Sequence, residues 1–425
     1  MFQIAKLREQ SFLVYGLGLS GNSVIKFFKR NNIKNFYVWD DKKKNLFKNN
    51  WTNNLKLTLK QVDYIVLAPG ISSVKNKILS KYKRKIITDI DLFYLTNNKT
   101  KSIVVTGTNG KSTTCKLLLH LLKRNKFKTS LGGNIGTPIL ELKNLTNSYV
   151  IIEASSFQLA HSQFIKPNYA FFLNFTNDHL DWHGNMNHYL KSKLKIFNLQ
   201  SLNNYAIINR KLGRIFKKKN FSSKLIFPLK KEYIKMKYKI KNKYLTSEIN
   251  DENMSFIFTF TRLIKIKEKN FIKTMKSFKS LPHRFEIFLK KKDVLFINDS
   301  KATTFRATQS ALSSLKNIYW ILGGQPKKGD KFKLLNFKKN IVKCYLIGTN
   351  INFFKKQIKN KLPFLITNNL KKTVVQILKD INLQQIPNKS VLLSPASASY
   401  DQFENFEKRG EEFKKLCKLY AKKLV

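Results

Sequence analysis

Val104-Val105-Thr106-Gly107-Thr108-Asn109-Gly110-Lys111-Ser112-Thr113 decides how this chain folds. Ser102 to Val105 reads as a short buried strand, and Thr106 to Gly110 as a tight loop. From Ser112 the apolar spacing becomes helical, with Leu117, Leu118, Leu121 and Leu122 on one face. A strand, a glycine loop, Gly-Lys-Ser and a helix form a phosphate-binding geometry. The glycines let backbone N–H groups approach an anion, and the helix N-terminus adds its dipole. Lys111 would reach the terminal phosphates, and the Ser112 hydroxyl would bind Mg²⁺. The loop departs from the common spacing, because Val105 stands where the first glycine is expected. A strand-turn-helix connection that merely carries Lys-Ser is the alternative.

Working outward, the chain has 425 residues, more than one ordinary core needs, so two or three domains are expected. No apolar run reaches the ~20 residues of a membrane span. No apolar segment of the signal-peptide kind precedes Gly16, so no leader is expected. Cys115, Cys344 and Cys417 are far apart and suggest neither a disulfide framework nor a zinc site, which fits a reducing cytoplasm. The formal net charge is +56. That would suit a nucleic-acid binder, but the lysines are spread along the whole chain. They accompany abundant Asn, Ile and Phe, the bias of an AT-rich coding sequence. A basic nucleic-acid-binding NTPase is the competing class, and the chain lacks a compact basic and aromatic recognition element. The positive field would attract anionic nucleotides.

Upstream, Phe12 to Tyr15 runs into Gly16-Leu17-Gly18-Leu19-Ser20-Gly21, a helix, a strand from Asn35 to Trp39, and Asp40-Asp41. This is a βαβ unit with the glycine spacing of a Rossmann turn. Val62 to Leu67 is another strand, ending at Gly70. Residues 74 to 100 are rich in Lys and Asn and read as a lead into the next domain. Downstream, Tyr149 to Ile152 delivers Glu153 at a strand end, where a Mg²⁺-binding carboxylate belongs. Tyr169 to Phe175 leads into Asn177-Asp178-His179-Leu180-Asp181, a concentration of metal-ligand types. His179 is the histidine assigned chemistry, with His183 and His188 left as loop surface. Met254, Phe256, Phe258 and Phe260 read as core. Leu281-Pro282-His283-Arg284-Phe285-Glu286 reads as a hinge. Beyond it, strands ending at Asp299, Gly323, Gly348 and Ser394 describe a third doubly wound domain, capped by a helix from Phe403 to Leu424.

These segments together resemble the Mur ligases over essentially the whole chain. The resemblance is carried by residues 16–21, 106–113, Gly133-Asn134-Ile135-Gly136, Glu153-Ala154-Ser155-Ser156-Phe157-Gln158-Leu159, 177–181, 281–286, and Asn298-Asp299-Ser300-Lys301-Ala302-Thr303. Ser394-Pro395-Ala396-Ser397-Ala398-Ser399 and the tail at Asp401-Gln402-Phe403, Phe406-Glu407 and Arg409-Gly410 look most like the D-glutamate-adding member. The resemblance implies an α/β protein of three domains: N-terminal Rossmann-like (1–97), central P-loop (98–280) and C-terminal Rossmann-like (281–425). It implies ATP and two Mg²⁺ ions, small-molecule substrates (UDP-MurNAc-L-alanine and D-glutamate), no nucleic acid, a monomer and a cytoplasmic location.

The resemblance also assigns roles. Leu19, Ser20, Asp41, Lys42, Gly70, Asn134 and His179 would hold the sugar nucleotide. The family often has Thr-Arg at Asp41-Lys42. Gly107, Thr108, Asn109, Gly110, Lys111, Ser112, Thr113, Asn250, Arg284, Asp299 and Lys301 would hold ATP. Thr303, Lys327, Ser399 and Phe406 would form the amino-acid pocket. The metal set would be Ser112, Glu153, His179 and Lys193, the last as a carbamate, with Lys111, His179 and Lys193 catalytic. In relatives a His-Asn pair follows a glycine before the last central helix. Here Asn250 is present, but Ile249 and Ser247 replace the histidine and glycine. A different amino-acid ligase of the Mur or folylpolyglutamate type is the near alternative.

Overall fold

The computed structural model describes residues 4–42, 50–73, 76–97, 100–242, 244–246, 250–279, 282–327, 329–332, 337–384 and 386–423. The chain is α/β, built on three largely parallel sheets. It divides into two compact units, Met1–Phe278 and Lys279–Val425. Among the described residues, no helix is long and apolar enough to cross a membrane.

The first unit holds two sheets. In the first, β1 (Phe12–Tyr15), β2 (Phe36–Trp39), β3 (Tyr64–Leu67) and β4 (Ile86–Ile87) run parallel in the order β2-β1-β3-β4. At the β1 turn a Cβ on Gly21 would stand 1.9 Å from the Gly16 carbonyl oxygen, so only glycine lets the helix Leu19–Arg30 start this close to the strand. The second sheet comprises β5 (Lys101–Thr106), β6 (Thr129–Gly133), β7 (Tyr149–Glu153), β8 (Tyr169–Phe172), β9 (Tyr205–Ile208) and β10 (Lys224–Ile226). Its order is β10-β9-β8-β5-β7-β6, again parallel.

Both faces of β5 are covered. Val104 packs with Val150, Ile152 and Phe172 on one side. Ile103 and Val105 pack on the other with Leu117, Leu118, Leu121 and Leu122, the face anticipated from the sequence. Burial on both faces is why β5 reads as a continuous apolar run without alternation. Met254, Phe256, Phe258 and Phe260 are buried here as expected, on the helix Asp251–Leu263. They lie two apart, which a helix buried on one side would not allow. The helix is buried nearly all round.

The second unit has β11 (Glu286–Lys291), β12 (Val294–Asn298), β13 (Ile318–Gly323), β14 (Ile341–Ile347), β15 (Phe364–Asn368) and β16 (Lys389–Leu393), in the order β11-β12-β16-β13-β14-β15. β11 is antiparallel to β12; the others run parallel.

Several expectations are corrected. The Lys- and Asn-rich tract after residue 74 contains β4 and the helix Asp89–Thr96, which is started by a reciprocal Thr88/Asp91 cap. Gly132 and Gly133 end a strand, β6. Glu286 opens β11 and does not belong to a hinge; Leu281 lies outside the described residues. The final helix runs Phe406–Tyr420, because Asn405 caps it by accepting from the Lys408 N–H. His183 is buried, and His188 is helical.

Arg409 lies on the final helix. It is 1% exposed and donates to Ser300 Oγ at 2.9 Å, Ser300 O at 2.8 Å and Ser397 O at 3.0 Å. It ties the loop after β12 to the loop after β16. Arg409→Met would strand those acceptors. The expected cost is about 3 kcal/mol or more, read as a loss in the urea midpoint of the full chain.

Candidate active site

Parallel sheets bind ligands at the C-terminal strand ends, where the strand order reverses. In the second sheet that point is β5, flanked by β7 and β8. The loops leaving these three strands carry Gly107 to Lys111, Glu153 and the segment from Asn174 to His179. Gly110 has φ +83°, and a Cβ there would stand 2.3 Å from Asn253 Oδ1. Gly110→Ala therefore meets both a left-handed backbone and a side-chain wall, and should lower the melting temperature and raise KM for ATP. Thermal unfolding measures the first effect, and the ATP dependence of phosphate release measures the second.

The loop is held from outside itself. Asn174 Oδ1 accepts from the Asn109 N–H at 2.8 Å, and Asn174 Nδ2 donates back to Asn109 O at 3.2 Å. Glu252 accepts from Asn174 Nδ2 at 3.5 Å and also from Asn209 Nδ2. Thr108 Oγ1 meets Tyr189 Oη at 3.2 Å and donates to Thr176 O at 3.2 Å. Asn174 and Tyr189 were not singled out from the sequence. The available signals were a polar residue at a strand exit and an aromatic one helical turn before Lys193.

Two lysine amino groups converge on one carbonyl. Lys111 Nζ donates to Gly107 O and Thr108 O, each at 2.9 Å. Lys193 Nζ donates to Gly107 O at 2.8 Å and lies 4.8 Å from the centre of the Tyr189 ring. Lys193 is 1% exposed. Burial pushes its pKa far below the usual lysine value; Lys111 pushes the same way, and Asp178 opposes.

Glu153 is buried at the end of β7. Its Oε1 accepts from Asn134 Nδ2 at 2.9 Å, which brings two of the expected residues together. Its Oε2 is buried with no hydrogen-bond partner among the described residues. A buried carboxylate oxygen left so is costly unless a cation meets it. Ser112, buried at the start of the helix Lys111–Arg124, supplies a hydroxyl of the kind that accompanies such a carboxylate. These donors fit Mg²⁺. Among the described residues, however, no three His, Cys, Asp or Glu side chains gather to hold a metal. The concentrated ligand set expected at 178–181 is not formed. His179 Nε2 faces its neighbour Asp178 Oδ2 at 3.4 Å, while Asp181 points to solvent from the short helix Leu180–His183. His179 itself has a left-handed backbone, φ 54°.

At the first sheet, Leu19 is 85% exposed and leads the helix after the glycine turn. Ser20 hydrogen-bonds the buried Asp89, whose pKa burial raises. Asp41 Oδ1 accepts from Tyr15 Oη at 2.8 Å and Trp39 Nε1 at 2.9 Å. The Lys42 N–H donates to Asp40 Oδ1 at 2.9 Å, and Gly70 follows the end of β3. Asn250 is buried and donates to Tyr244 O at 2.7 Å. Ser247 and Ile249 lie outside the described residues.

In the second unit, Asp299 leaves β12 and accepts from Ser394 Oγ at 2.7 Å and the Phe285 N–H at 3.1 Å. Burial raises its carboxyl to about 7, against the pull of these donors and of Arg284. Lys301 Nζ lies 3.7 Å from the centre of the Phe406 ring. The Ser399 side chain is buried in the loop after β16, and Thr303 and Lys327 follow β12 and β13.

A Gly-Lys-Ser loop with a buried carboxylate on the neighbouring strand and a buried lysine against it, at the C-terminal edge of a parallel sheet, is the arrangement of a nucleotide-binding α/β protein. Residues 105–277 match the Mur ligase middle domain. The UDP-N-acetylmuramoylalanine–D-glutamate ligase of Rickettsia prowazekii is 35% identical, over 97% of this chain and 98% of its own. That of Rickettsia felis is 34% identical, over 98% and 99%. The structure is similar to that of the MurF ligase of Thermotoga maritima in complex with ADP. There the TM-score is 0.55 and the identity 18%, covering 99% of this chain and 97% of that one. The chain belongs to the Mur ligase family, and within it to the UDP-N-acetylmuramoylalanine–D-glutamate ligases.

Proposed function

We propose that this chain joins D-glutamate to UDP-N-acetylmuramoyl-L-alanine at the expense of ATP, in peptidoglycan precursor synthesis. The observation that carries this is the 35% identity with a D-glutamate ligase over 97% of the chain. The three sheets serve as domains 1–97, 98–280 and 281–425, in a monomer working in the cytoplasm.

The sugar nucleotide rests on the first sheet, through Leu19, Ser20, Asp41, Lys42 and Gly70, and on Asn134 and His179. ATP phosphates sit on the amides from Gly107 to Thr113 and on Lys111, with Asn250, Arg284, Asp299 and Lys301 as further ATP contacts. Glu153 and Ser112 would hold one Mg²⁺, and His179 with a carbamate on Lys193 would hold the second. When bound, Mg²⁺ neutralises charge on the phosphoryl group being transferred. The terminal carboxylate of the substrate attacks the γ-phosphorus, ADP leaves, and an acyl phosphate forms. Lys111 and the loop amides stabilise the charge spreading over the phosphoryl oxygens. D-glutamate, held by Thr303, Lys327, Ser399 and Phe406, then attacks the acyl carbon through its amine. The tetrahedral intermediate expels phosphate, and the nitrogen loses a proton.

The test is phosphate release from ATP and UDP-N-acetylmuramoyl-L-alanine with D- or L-glutamate. Release with the D isomer alone is expected. Equal release with both isomers, or release only with another amino acid, would move the chain to a different ligase of the family.

A further inference from the structure

A cavity of about 310 Å³ lies inside the first unit. None of the residues assigned to ATP, metal or sugar nucleotide lines it. One wall is a single stripe of the helix Met186–Asn198: His188, Lys191, Ser192 and Lys195. That is the i, i+3, i+4, i+7 spacing of one helix face. Tyr189 and Lys193, on the adjoining face, reach the phosphate loop. One helix thus borders two chambers, with the lysine of the metal set on one side and the cavity on the other.

The lining of the cavity includes Lys83, Lys191 and Lys195 but no aspartate or glutamate. Lys83 and Lys191 have no ion-pair partner among the described residues. Lys195 gives two of its ammonium hydrogens to Ala160 O at 2.7 Å and Ser162 O at 3.1 Å, and retains a third. The Trp182 indole N–H, from another lining residue, is buried with no acceptor among the described residues. The buried indole N–H is a donor left for an acceptor that a bound molecule would bring. The set asks for a ligand that is anionic and rich in acceptors. The volume is at the lower end of the range for small-molecule sites.

We propose that this cavity is a second anion site that takes a small phosphate-bearing metabolite through Lys83, Lys191, Lys195 and the Trp182 indole. Trp182 also connects it to the reaction centre. Its ring lies 4.9 Å from that of Phe157, and Phe157 lies 4.8 Å from His179, centre to centre.

The test uses the full chain with its phosphate loop filled by a non-hydrolysable ATP analogue and Mg²⁺. At constant ionic strength the protein is titrated with glycerol phosphate, inorganic phosphate or succinate, following heat and tryptophan fluorescence. Saturable binding of one equivalent of a phosphate compound is expected, weakened at least tenfold in Lys83→Gln/Lys191→Gln. That variant changes two exposed side chains and should bind the ATP analogue unchanged. Tighter binding of the ester identifies an organic phosphate as the ligand; equal binding identifies the free ion. Absence of saturable binding, succinate binding as tightly as the phosphates, or undiminished affinity in the variant overturns the site. Turnover is not read, so failure here is separable from failure of the ligase reading.

Discussion

Lys111→Ala should lower kcat for phosphate release about 10³-fold, roughly 4 kcal/mol of transition-state stabilisation. Lys111 begins the helix and reaches back to the carbonyls of Gly107 and Thr108. Those contacts hold the ammonium where the phosphates of ATP would arrive. Its charge matters most when negative charge spreads over the transferring phosphoryl group, so kcat should fall much further than KM rises. The fold should survive. The loop keeps its brace from Asn174 through both bonds to Asn109, and the helix keeps its buried leucines. Circular dichroism and thermal unfolding would confirm that the protein is intact. A variant within tenfold of normal turnover would remove Lys111 from the phosphate site.

The parts legible in the sequence were those whose physics is local. The loop after β5 needs glycine for its backbone, and the helix after it shows its apolar stripe in consecutive turns. The sheet edge carrying Glu153 was readable because a charged residue ends an apolar run. Short strands were less legible. Ile86–Ile87 has two residues and no room for a pattern, and Phe364–Asn368 has only one buried residue, so it alternates weakly. Contacts between distant segments were not readable at all. Nothing near His183 indicates that its ring stacks on Phe157 at 5.7 Å and meets Ser156 Oγ at 2.9 Å. Its burial pulls the imidazole pKa down to about 4, with His179 and Lys193 pushing the same way. It is a neutral core histidine, the opposite of a loop-surface one. Asn174 and Arg409 were hidden for the same reason, since their partners lie 65 and 109 residues away.

Lys193→Ala should lower turnover at least about 10²-fold, and added formate or acetate should restore part of it. As a plain ammonium this side chain is badly placed. It is buried, and it shares the Gly107 carbonyl with the cation of Lys111. Both effects favour the neutral amine. A neutral amine can add to CO₂: a nitrogen–carbon bond forms, one proton leaves, and a carbamate anion remains. The repulsion from Lys111 then becomes attraction, and a group unable to bind metal becomes a carboxylate-like ligand. Truncation to alanine leaves a space that a small carboxylate can enter, so rescue should saturate with the added acid and be absent in wild type. Lys193→Arg keeps the charge but cannot form the carbamate, and should be as inactive as the alanine variant. Isotopically labelled bicarbonate should give a carbamate carbon signal in wild type that both variants lack. An active arginine variant would show that a buried cation is what this position requires, and would return Lys193 to a structural brace of the loop.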